Sequence, residues 1–268
     1  MGNMSFPKIM GVVNVTPDSF SDGGNYFNEE FAIEHSLQLI NDGADILDIG
    51  GESTRPGAEP VSSIEEMDRV IPVINGIRKN NEDIRISIDT TKLDVATEAV
   101  AAGASLINDI SGLRNDLRLA DLATESQSGL IIMHMLGSPR TMQNDPRYDN
   151  VVEDIYLFLK ERIEIARKTG VEEIYADVGI GFGKTVEHNL ELLRNHKYFA
   201  KLNCNMCLGI SRKSFMGKTL KIDDPKERDL PTALIHALTL GSETGIIRVH
   251  NVKYIKMLKD VYQMLFDL

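Results

Sequence analysis

Eight short apolar segments of the sequence each carry, at or just after their C-terminal end, polar side chains that could contact a ligand. These side chains are Asn14, Asp48, Asp89, Asn108, His134, Asp177, Ser211 with Lys213, and Arg248 with His250. Any single Asp, Asn or Ser among them could simply cap the next helix. Lys213, Arg248 and His134 are poor caps, so the set as a whole predicts a site for a polar, charged ligand.

The apolar segments themselves predict a parallel sheet. They span residues 8–13, 45–49, 84–88, 105–108, 130–133, 173–177, 206–210 and 246–249, and most are continuous rather than alternating. Continuous apolar runs are typical of strands covered by helices on both faces. Between two of them, the stripe Val152, Ile155, Leu159, Ile163 and Ala166 has the spacing of an amphipathic helix.

A glycine recurs where a helix-like stretch gives way to an apolar run, at Gly43, Gly103, Gly129, Gly170 and Gly245. We expect each to end a helix in the left-handed conformation. Eight such βα units in about 250 residues predict a (β/α)8 TIM barrel, a single α/β domain over residues 1–268. A doubly wound open sheet is the alternative, and in both folds ligands bind at the C-terminal ends of the strands.

Two long loops follow the first two strands, at residues 14–24 and 53–57. They are either surface connections or mobile lids over the site, and Arg55 in such a lid could clamp an anion. Residues 211–214 (SRKS) and 248–250 (RVH) lie at the C-terminal ends of the last two strands. Barrels commonly bind phosphate there, so these cations predict a diphosphate site, unless they only pair with surface carboxylates.

Composition excludes several other functions. With 29 Lys and Arg against 40 Asp and Glu the net charge is −11, which disfavours nucleic-acid or anionic-membrane binding. Two cysteines are too few for a disulfide scaffold, and no segment is expected to target or anchor the chain, so we expect a cytoplasmic protein. Two short motifs are incomplete and are not expected to function. Cys204 and Cys207 have CxxC spacing without a second pair, which disfavours a metal or redox site. Residues 178–185 resemble a P-loop except that Val178 replaces its first glycine, which disfavours nucleoside triphosphate binding.

The motifs together resemble one known family. Residues 10–24 read MGVVNVTPDSFSDGG and residues 48–57 read DIGGESTRPG, similar to the two signature segments of the dihydropteroate synthases, which are folate-pathway transferases inhibited by sulfonamides. The resemblance continues through 88–90 (IDT), 107–109 (IND), 133–135 (MHM), 177–184, SRKS and RVH, and so covers the chain from about residue 8 to its end. Members of this family are TIM barrels that join para-aminobenzoate to hydroxymethyl-dihydropterin pyrophosphate, and release pyrophosphate.

The resemblance implies a role for each matched residue. The pterin would be bound by Asp89, Asn108, Met133, Asp177 and Lys213, the pyrophosphate by Asn14, Arg248 and His250, and para-aminobenzoate by Thr54, Arg55, Pro56, Phe182 and Ser214. Asp22 would face a carbocation formed when the C–O bond to pyrophosphate breaks, and Asp22, Asp89, Asp177 and Lys213 form the implied catalytic set. Mg²⁺, with Asn14 as its protein ligand, would lie beside the diphosphate, and a homodimer packed through C-terminal helices is expected.

Three features depart from the family pattern. Val178 replaces a usual proline, Asn251 follows the RVH segment where Asp is frequent, and residues 230–232 (LPT) stand where a run of small residues is expected near the seventh helix. We expect loss of the proline to relax the backbone beside Asp177 without abolishing activity. A non-catalytic pterin-binding paralogue is the alternative, and a pterin-binding methyltransferase is disfavoured because both long loops and SRKS are present.

Overall fold

Eight parallel strands close into a barrel in the computed structural model, which describes residues 6–16, 24–55, 57–241 and 243–266. The strands are β1 (Lys8–Asn14), β2 (Ile46–Gly50), β3 (Arg85–Asp89), β4 (Leu106–Asp109), β5 (Gly129–Met133), β6 (Ile174–Asp177), β7 (Asn205–Leu208) and β8 (Thr244–Val249). Each strand pairs with the next, and β8 returns to β1. The predicted (β/α)8 barrel is confirmed, and every predicted strand begins and ends within two residues of the observed one.

Helices cover the outside of the barrel. They are α1 (Gly24–Asn41), α2 (Ser63–Asn80), α3 (Leu93–Ala101), α4 (Arg118–Glu125), α5 (Val151–Thr169), α6 (Val186–Arg194), α7 (Ser214–Leu220), α8 (Asp229–Thr239) and α9 (Val252–Phe266), with 3-10 turns at His196–Leu202 and Pro225–Arg228. The apolar stripe predicted for α5 is buried in full. Across the described ranges no helix is both long and apolar enough to span a membrane.

The prediction that each of five glycines ends a helix in the left-handed conformation is correct at three positions and wrong at two. Gly43, Gly103 and Gly170 have φ of +101°, +112° and +109°, and the Gly170 amide donates to the last carbonyls of α5. Gly129 and Gly245 instead lie inside β5 and β8. A Cβ at Gly129 would lie 2.7 Å from Leu106 Cδ1, so close packing explains this glycine.

The apolar core has two layers. A large layer lies between the strands and the helices, and a smaller one fills the barrel interior with Met10, Ile46, Leu106, Ile131, Tyr175, Cys207 and Ile246. Cys207 is buried in the interior while Cys204 precedes β7, and both are free thiols. The CxxC spacing therefore reflects strand geometry, because residues three apart on an extended chain point to opposite faces.

Candidate active site

A polar layer lies directly above the apolar interior of the barrel. Side chains alternate along a strand, so residues two positions after Ile46, Leu106, Tyr175 and Ile246 also point inward. Those residues are Asp48, Asn108, Asp177 and Arg248. The register also pairs Asp89 with Asn108 across β3 and β4, so the sequence-predicted strand-end residues converge at the C-terminal mouth of the barrel.

Arg248 lies at the centre of this layer and binds two carboxylates. Its Nε donates to Asp48 Oδ2 at 2.6 Å and its Nη2 to Asp89 Oδ2 at 2.7 Å, while Asn108 Nδ2 donates to the same Asp48 oxygen at 3.1 Å. Asp48 is fully buried. We call these four residues the carboxylate–arginine cluster. The sequence predicted Asp48 as a strand-end residue but not its ion pair with Arg248, because the two residues are 200 positions apart.

The cluster has one more carboxylate than cations, and this imbalance affects its protonation. Burial, and then the neighbouring Asp48 carboxylate, raise the pKa of Asp89 from 3.8 to about 7, against the opposing effect of Arg248. Burial alone would lower the pKa of Arg248, but the two carboxylates outweigh it and raise that pKa. The guanidinium therefore stays charged, and Asp89 is the group that can take a proton near neutral pH.

Asp177 and Lys213 extend the polar layer on the opposite side. Asp177 Oδ1 accepts the Gly179 amide at 2.7 Å, and burial raises the pKa of this carboxyl. The Lys213 ammonium lies 4.0 Å from the centre of the Phe182 ring. Burial, and then Arg248, lower the pKa of Lys213 to about 8. Gly181, at φ +85°, lets the loop pass over the lysine, since a Cβ there would lie 3.0 Å from Lys213 Cδ.

An apolar wall borders the polar layer. Ile110, Met133, Met135 and Met142 form one buried cluster, and Phe182 packs against it. Of these, Met133 and Phe182 were predicted as ligand-contacting residues. The others lie in loops after β4 and β5, where the sequence shows no periodicity that would have marked them as buried.

His250 is held by Ser211 at the predicted diphosphate pole. Ser211 Oγ accepts the His250 amide at 3.2 Å and lies 3.0 Å from its Nδ1. The Ser211 hydroxyl can donate its proton to Nδ1 when the neutral ring carries its own proton on Nε2, and it can accept from Nδ1 in the other tautomer. Burial, and then Arg212, Arg248 and Lys213, lower the pKa of His250 to about 3. Asn14 ends β1 and is partly buried.

The departure at Asn251 has a structural counterpart in α8. Arg212 forms a two-point ion pair with Asp229, at 2.7 and 2.8 Å, and Asn251 Nδ2 donates to the same carboxylate at 3.1 Å. An aspartate at 251 would face Asp229 with a second negative charge. Val178, the other departure, is buried in the outer core, and its expected effect on the backbone beside Asp177 stays a prediction.

A buried lysine lies within the P-loop-like segment, and the sequence analysis assigned it no role in the site. Lys184 Nζ lies 3.1 Å from His134 Nδ1 and donates to the Phe182 carbonyl at 2.9 Å. Burial lowers its pKa well below the usual value, and burial and Lys184 together lower the pKa of His134 to about 2. Lys184 thus holds the loop that carries Phe182, while its amine is enclosed by protein groups.

The remaining predicted residues lie on the rim of the barrel. Thr54 lines a groove of about 570 Å³ between the loops after β2, β3, β4 and β5. Arg55 and Ser214 are exposed, and Ser214 begins α7 immediately after Lys213. Asp22 and Pro56 lie outside the described residues.

Comparisons with known proteins agree with this geometry. The family model described as "Pterin binding enzyme" matches residues 10–250. The dihydropteroate synthase of Synechocystis is 43% identical over 247 residues, covering 91% of this chain and 85% of the relative.

Solved structures give the same result. That of dihydropteroate synthase from Clostridium difficile, determined in the presence of pteroic acid, superposes with a TM-score of 0.90 at 41% identity, covering 99% of both chains. The Yersinia pestis enzyme, in complex with a sulfonamide drug, gives 0.89 at 38% identity, covering 98% of this chain and 95% of that one. The chain belongs to the dihydropteroate synthases, a family of pterin-binding transferases.

Proposed function

We propose that the chain joins 4-aminobenzoate to 6-hydroxymethyl-7,8-dihydropterin diphosphate, giving 7,8-dihydropteroate and pyrophosphate. The observation that carries this proposal is the convergence of Asp89, Asn108, Asp177 and Lys213 on one barrel mouth beside an apolar wall. The pteroic acid present with the Clostridium difficile enzyme contains both halves of such a product.

The polar layer suits a pterin ring. A pterin alternates hydrogen-bond donors and acceptors around its edge, so two carboxylates, an amide and an ammonium can satisfy it. Met133 and Phe182 supply an apolar surface for its faces. In this proposal Asp89, Asn108, Asp177 and Lys213 read the pterin edge and Met133 contacts its face.

The proposed chemistry is a dissociative displacement. The C–O bond of the hydroxymethyl group breaks with its electron pair staying on the pyrophosphate oxygen, and the amine lone pair of 4-aminobenzoate then forms the new C–N bond and releases a proton. Fixed charges that stabilise a departing diphosphate and an adjacent cation carry out such a step without a covalent nucleophile. His250 and Arg248 are proposed to hold the leaving group, and Asp22 to face the cation.

The residues present fit a magnesium ion that arrives with the diphosphate. Among the described residues no group of three or more His, Cys, Asp or Glu could hold a metal. Magnesium commonly binds through substrate phosphates, water and few protein oxygens, and the Asn14 amide at the end of β1 offers such an oxygen. Bound there, the ion would neutralise charge on the leaving diphosphate.

We propose that 4-aminobenzoate binds last, against Thr54, Arg55, Pro56, Phe182 and Ser214. Its slot forms only when the long loops close over the pterin half, and pyrophosphate favours that closure. Titration of 4-aminobenzoate should therefore show tight binding with pyrophosphate and Mg²⁺ present and weak binding without them. Equally tight binding in both titrations would refute the binding order.

Sulfonamide sensitivity follows from the same slot. Residues 53–57 carry no insertion, so we expect sulfamethoxazole to compete with 4-aminobenzoate, as the Yersinia pestis complex suggests. A steady-state inhibition series at several 4-aminobenzoate concentrations checks this. Activity unchanged across the inhibitor range would contradict it.

We further propose a homodimer packed through α8 and α9. The apolar stripe on α9 is only partly buried. It consists of Val252, Ile255, Leu258 and Leu265, of which Val252 and Ile255 are buried and Leu265 is 58% exposed. A separate stripe on α8 is exposed at four-residue spacing, with Leu230, Leu234 and Leu238 at 50%, 56% and 83%. Exposed apolar stripes of this kind mark protein–protein contacts.

Sedimentation of two variants tests the dimer. Leu234→Glu on α8 should yield monomer, while the control Leu157→Glu, a 53%-exposed leucine on α5, should not. A monomeric wild type, or a dimer that survives Leu234→Glu, would contradict the proposal.

The compartment is a separate proposal. Both cysteines are free thiols, and this favours a reducing compartment such as the cytoplasm.

A further inference from the structure

A lysine outside the carboxylate–arginine cluster holds two carboxylates together at the rim. Lys92 Nζ donates to Glu52 Oε2 at 2.5 Å and also to Glu66 Oε2. Glu52 follows β2, Glu66 lies on α2, and Lys92 lies three residues after Asp89. We call these three residues the loop clamp.

Glu52 connects both ends of the loop after β2. Its Oε2 binds Lys92, while its Oε1 accepts the Val61 amide at 3.3 Å, just before the N-cap Ser62 of α2. One carboxylate therefore closes the loop of residues 53–60 at its base. The same loop carries Thr54, Arg55 and Pro56, the proposed contacts of 4-aminobenzoate.

The inner end of the loop clamp is a buried carboxylate. The Glu66 side chain is fully buried, and Lys92 is the hydrogen-bond partner that the described structure shows for it. Burial alone would lower the pKa of Lys92, but Glu52 and Glu66 outweigh burial and raise it. The ammonium thus stays charged, and a buried ion pair of this kind is costly to break from one side.

The local backbone is shaped to allow this contact. A Cβ at Gly51 would lie 2.8 Å from Val70 Cγ1 and 3.0 Å from Glu66 Cγ. A glycine at 51 therefore lets α2 approach the end of β2 closely enough for Glu66 to reach Lys92. Residues 48–52 (DIGGE) thus allow the base of the loop, α2 and the segment after β3 to meet at Lys92.

We propose that Glu52 is a positioning residue for the second substrate: through Lys92 and Glu66 it fixes the loop of residues 53–60 in the geometry that binds 4-aminobenzoate. This inference rests on the proposed function. It predicts a larger effect on 4-aminobenzoate than on the pterin, because the hydrogen bonds and ion pair that the described residues show for Glu52 go to Lys92 and Val61 and not to the carboxylate–arginine cluster.

Direct binding measurements test the role of Glu52 without requiring turnover. In Glu52→Ala, the dissociation constant for 4-aminobenzoate, titrated with pyrophosphate and Mg²⁺ present, should rise about tenfold, the effect of one charge-assisted hydrogen bond. The dissociation constant for 6-hydroxymethylpterin should stay within about twofold. Glu52→Gln, which keeps an acceptor oxygen, should lie between Glu52→Ala and wild type.

The matched control lies on the same loop. Glu59 forms an ion pair with Arg140 at 3.6 Å, with both side chains more than half exposed, so Glu59→Ala should bind both ligands as wild type does. Lys92→Met should reproduce the effect of Glu52→Ala, and thermal unfolding shows whether each variant is folded. If Lys92→Met does not fold, the Glu52 series alone decides.

Two results would overturn the inference. One is 4-aminobenzoate binding by Glu52→Ala that matches Glu59→Ala. The other is an equal loss of pterin and 4-aminobenzoate binding, which would show a general structural role. Failure of the proposed function is separate, because it would appear in the wild-type protein as absence of turnover or of pterin binding.

Discussion

Replacing Asp89 by asparagine should stabilise the ligand-free protein at alkaline pH while impairing pterin binding. Asp89 shares one guanidinium with Asp48, and its pKa is raised to about 7 by burial and by that neighbour. Asparagine has the shape of the protonated acid, so the variant cluster has one carboxylate side chain, Asp48, for the one guanidinium. The wild-type cluster reaches this balance only when it binds a proton.

The direction of this change in stability with pH follows from the raised pKa of Asp89. Between pH 3.8 and about 7 the folded state binds a proton that the unfolded state has lost, so this group makes wild-type stability fall as pH rises through that window. Between pH 5.5 and pH 7 the loss is about 2 kcal/mol, at about 1.4 kcal/mol per pH unit. Asp89→Asn should therefore gain about 2 kcal/mol on wild type between pH 5.5 and 8.5, about 4–8 °C in Tm for a chain of this size.

Urea unfolding of both proteins at pH 5.5 and 8.5 measures this difference. Asp116→Asn is the control, because the Arg118 side chain lowers the pKa of Asp116. That carboxylate is ionised in both states across the window, so its replacement should add no pH slope. Parallel pH profiles for wild type and Asp89→Asn would refute the reasoning, since they would mean that Arg248 keeps Asp89 ionised throughout.

Two further variants test contacts at the diphosphate pole. Ser211→Ala removes the acceptor of the His250 amide and the partner of Nδ1. Calorimetry should therefore show pyrophosphate binding about tenfold weaker, with 6-hydroxymethylpterin binding retained. Unchanged pyrophosphate affinity would contradict the proposal that Ser211 positions the His250 ring. Asn251→Asp replaces a hydrogen-bond donor to Asp229 by a second carboxylate. It should lower the free energy of unfolding by about 1 kcal/mol at pH 8. The loss should be smaller at pH 4, where one carboxyl of the pair at positions 229 and 251 takes a proton. Equal Tm values for this variant and wild type at pH 8 would contradict the contact.

The strands could be predicted from sequence because each is buried on both faces. Continuous apolar runs such as 130–133 stand out against the amphipathic pattern of α5, and the count of eight indicates a barrel. The prediction of a helix end was wrong at Gly129 and Gly245, because a glycine before an apolar run can also lie at the start of a strand that packs closely on its neighbours. Local sequence does not distinguish these two uses.

The site was predictable as a set of residues but not as a network. Alternation along each strand places Asp48, Asn108 and Arg248 in one layer, yet which carboxylate the arginine binds depends on barrel closure across 200 positions. Glu52 and Lys92 were missed for a related reason. Each lies in a loop between a strand and a helix, where charged residues are ordinary, and only the approach of α2 at Gly51 brings them together.

Release of pyrophosphate tests the central claim most directly. Wild-type protein is mixed with 6-hydroxymethyl-7,8-dihydropterin diphosphate and Mg²⁺, with and without 4-aminobenzoate, beside a Lys213→Ala variant. We predict release that depends on 4-aminobenzoate, is accompanied by dihydropteroate, and is lost in the variant. Pterin binding by the wild type without pyrophosphate release would contradict the account and identify a non-catalytic pterin-binding paralogue, with Val178→Pro as the first reversion to make.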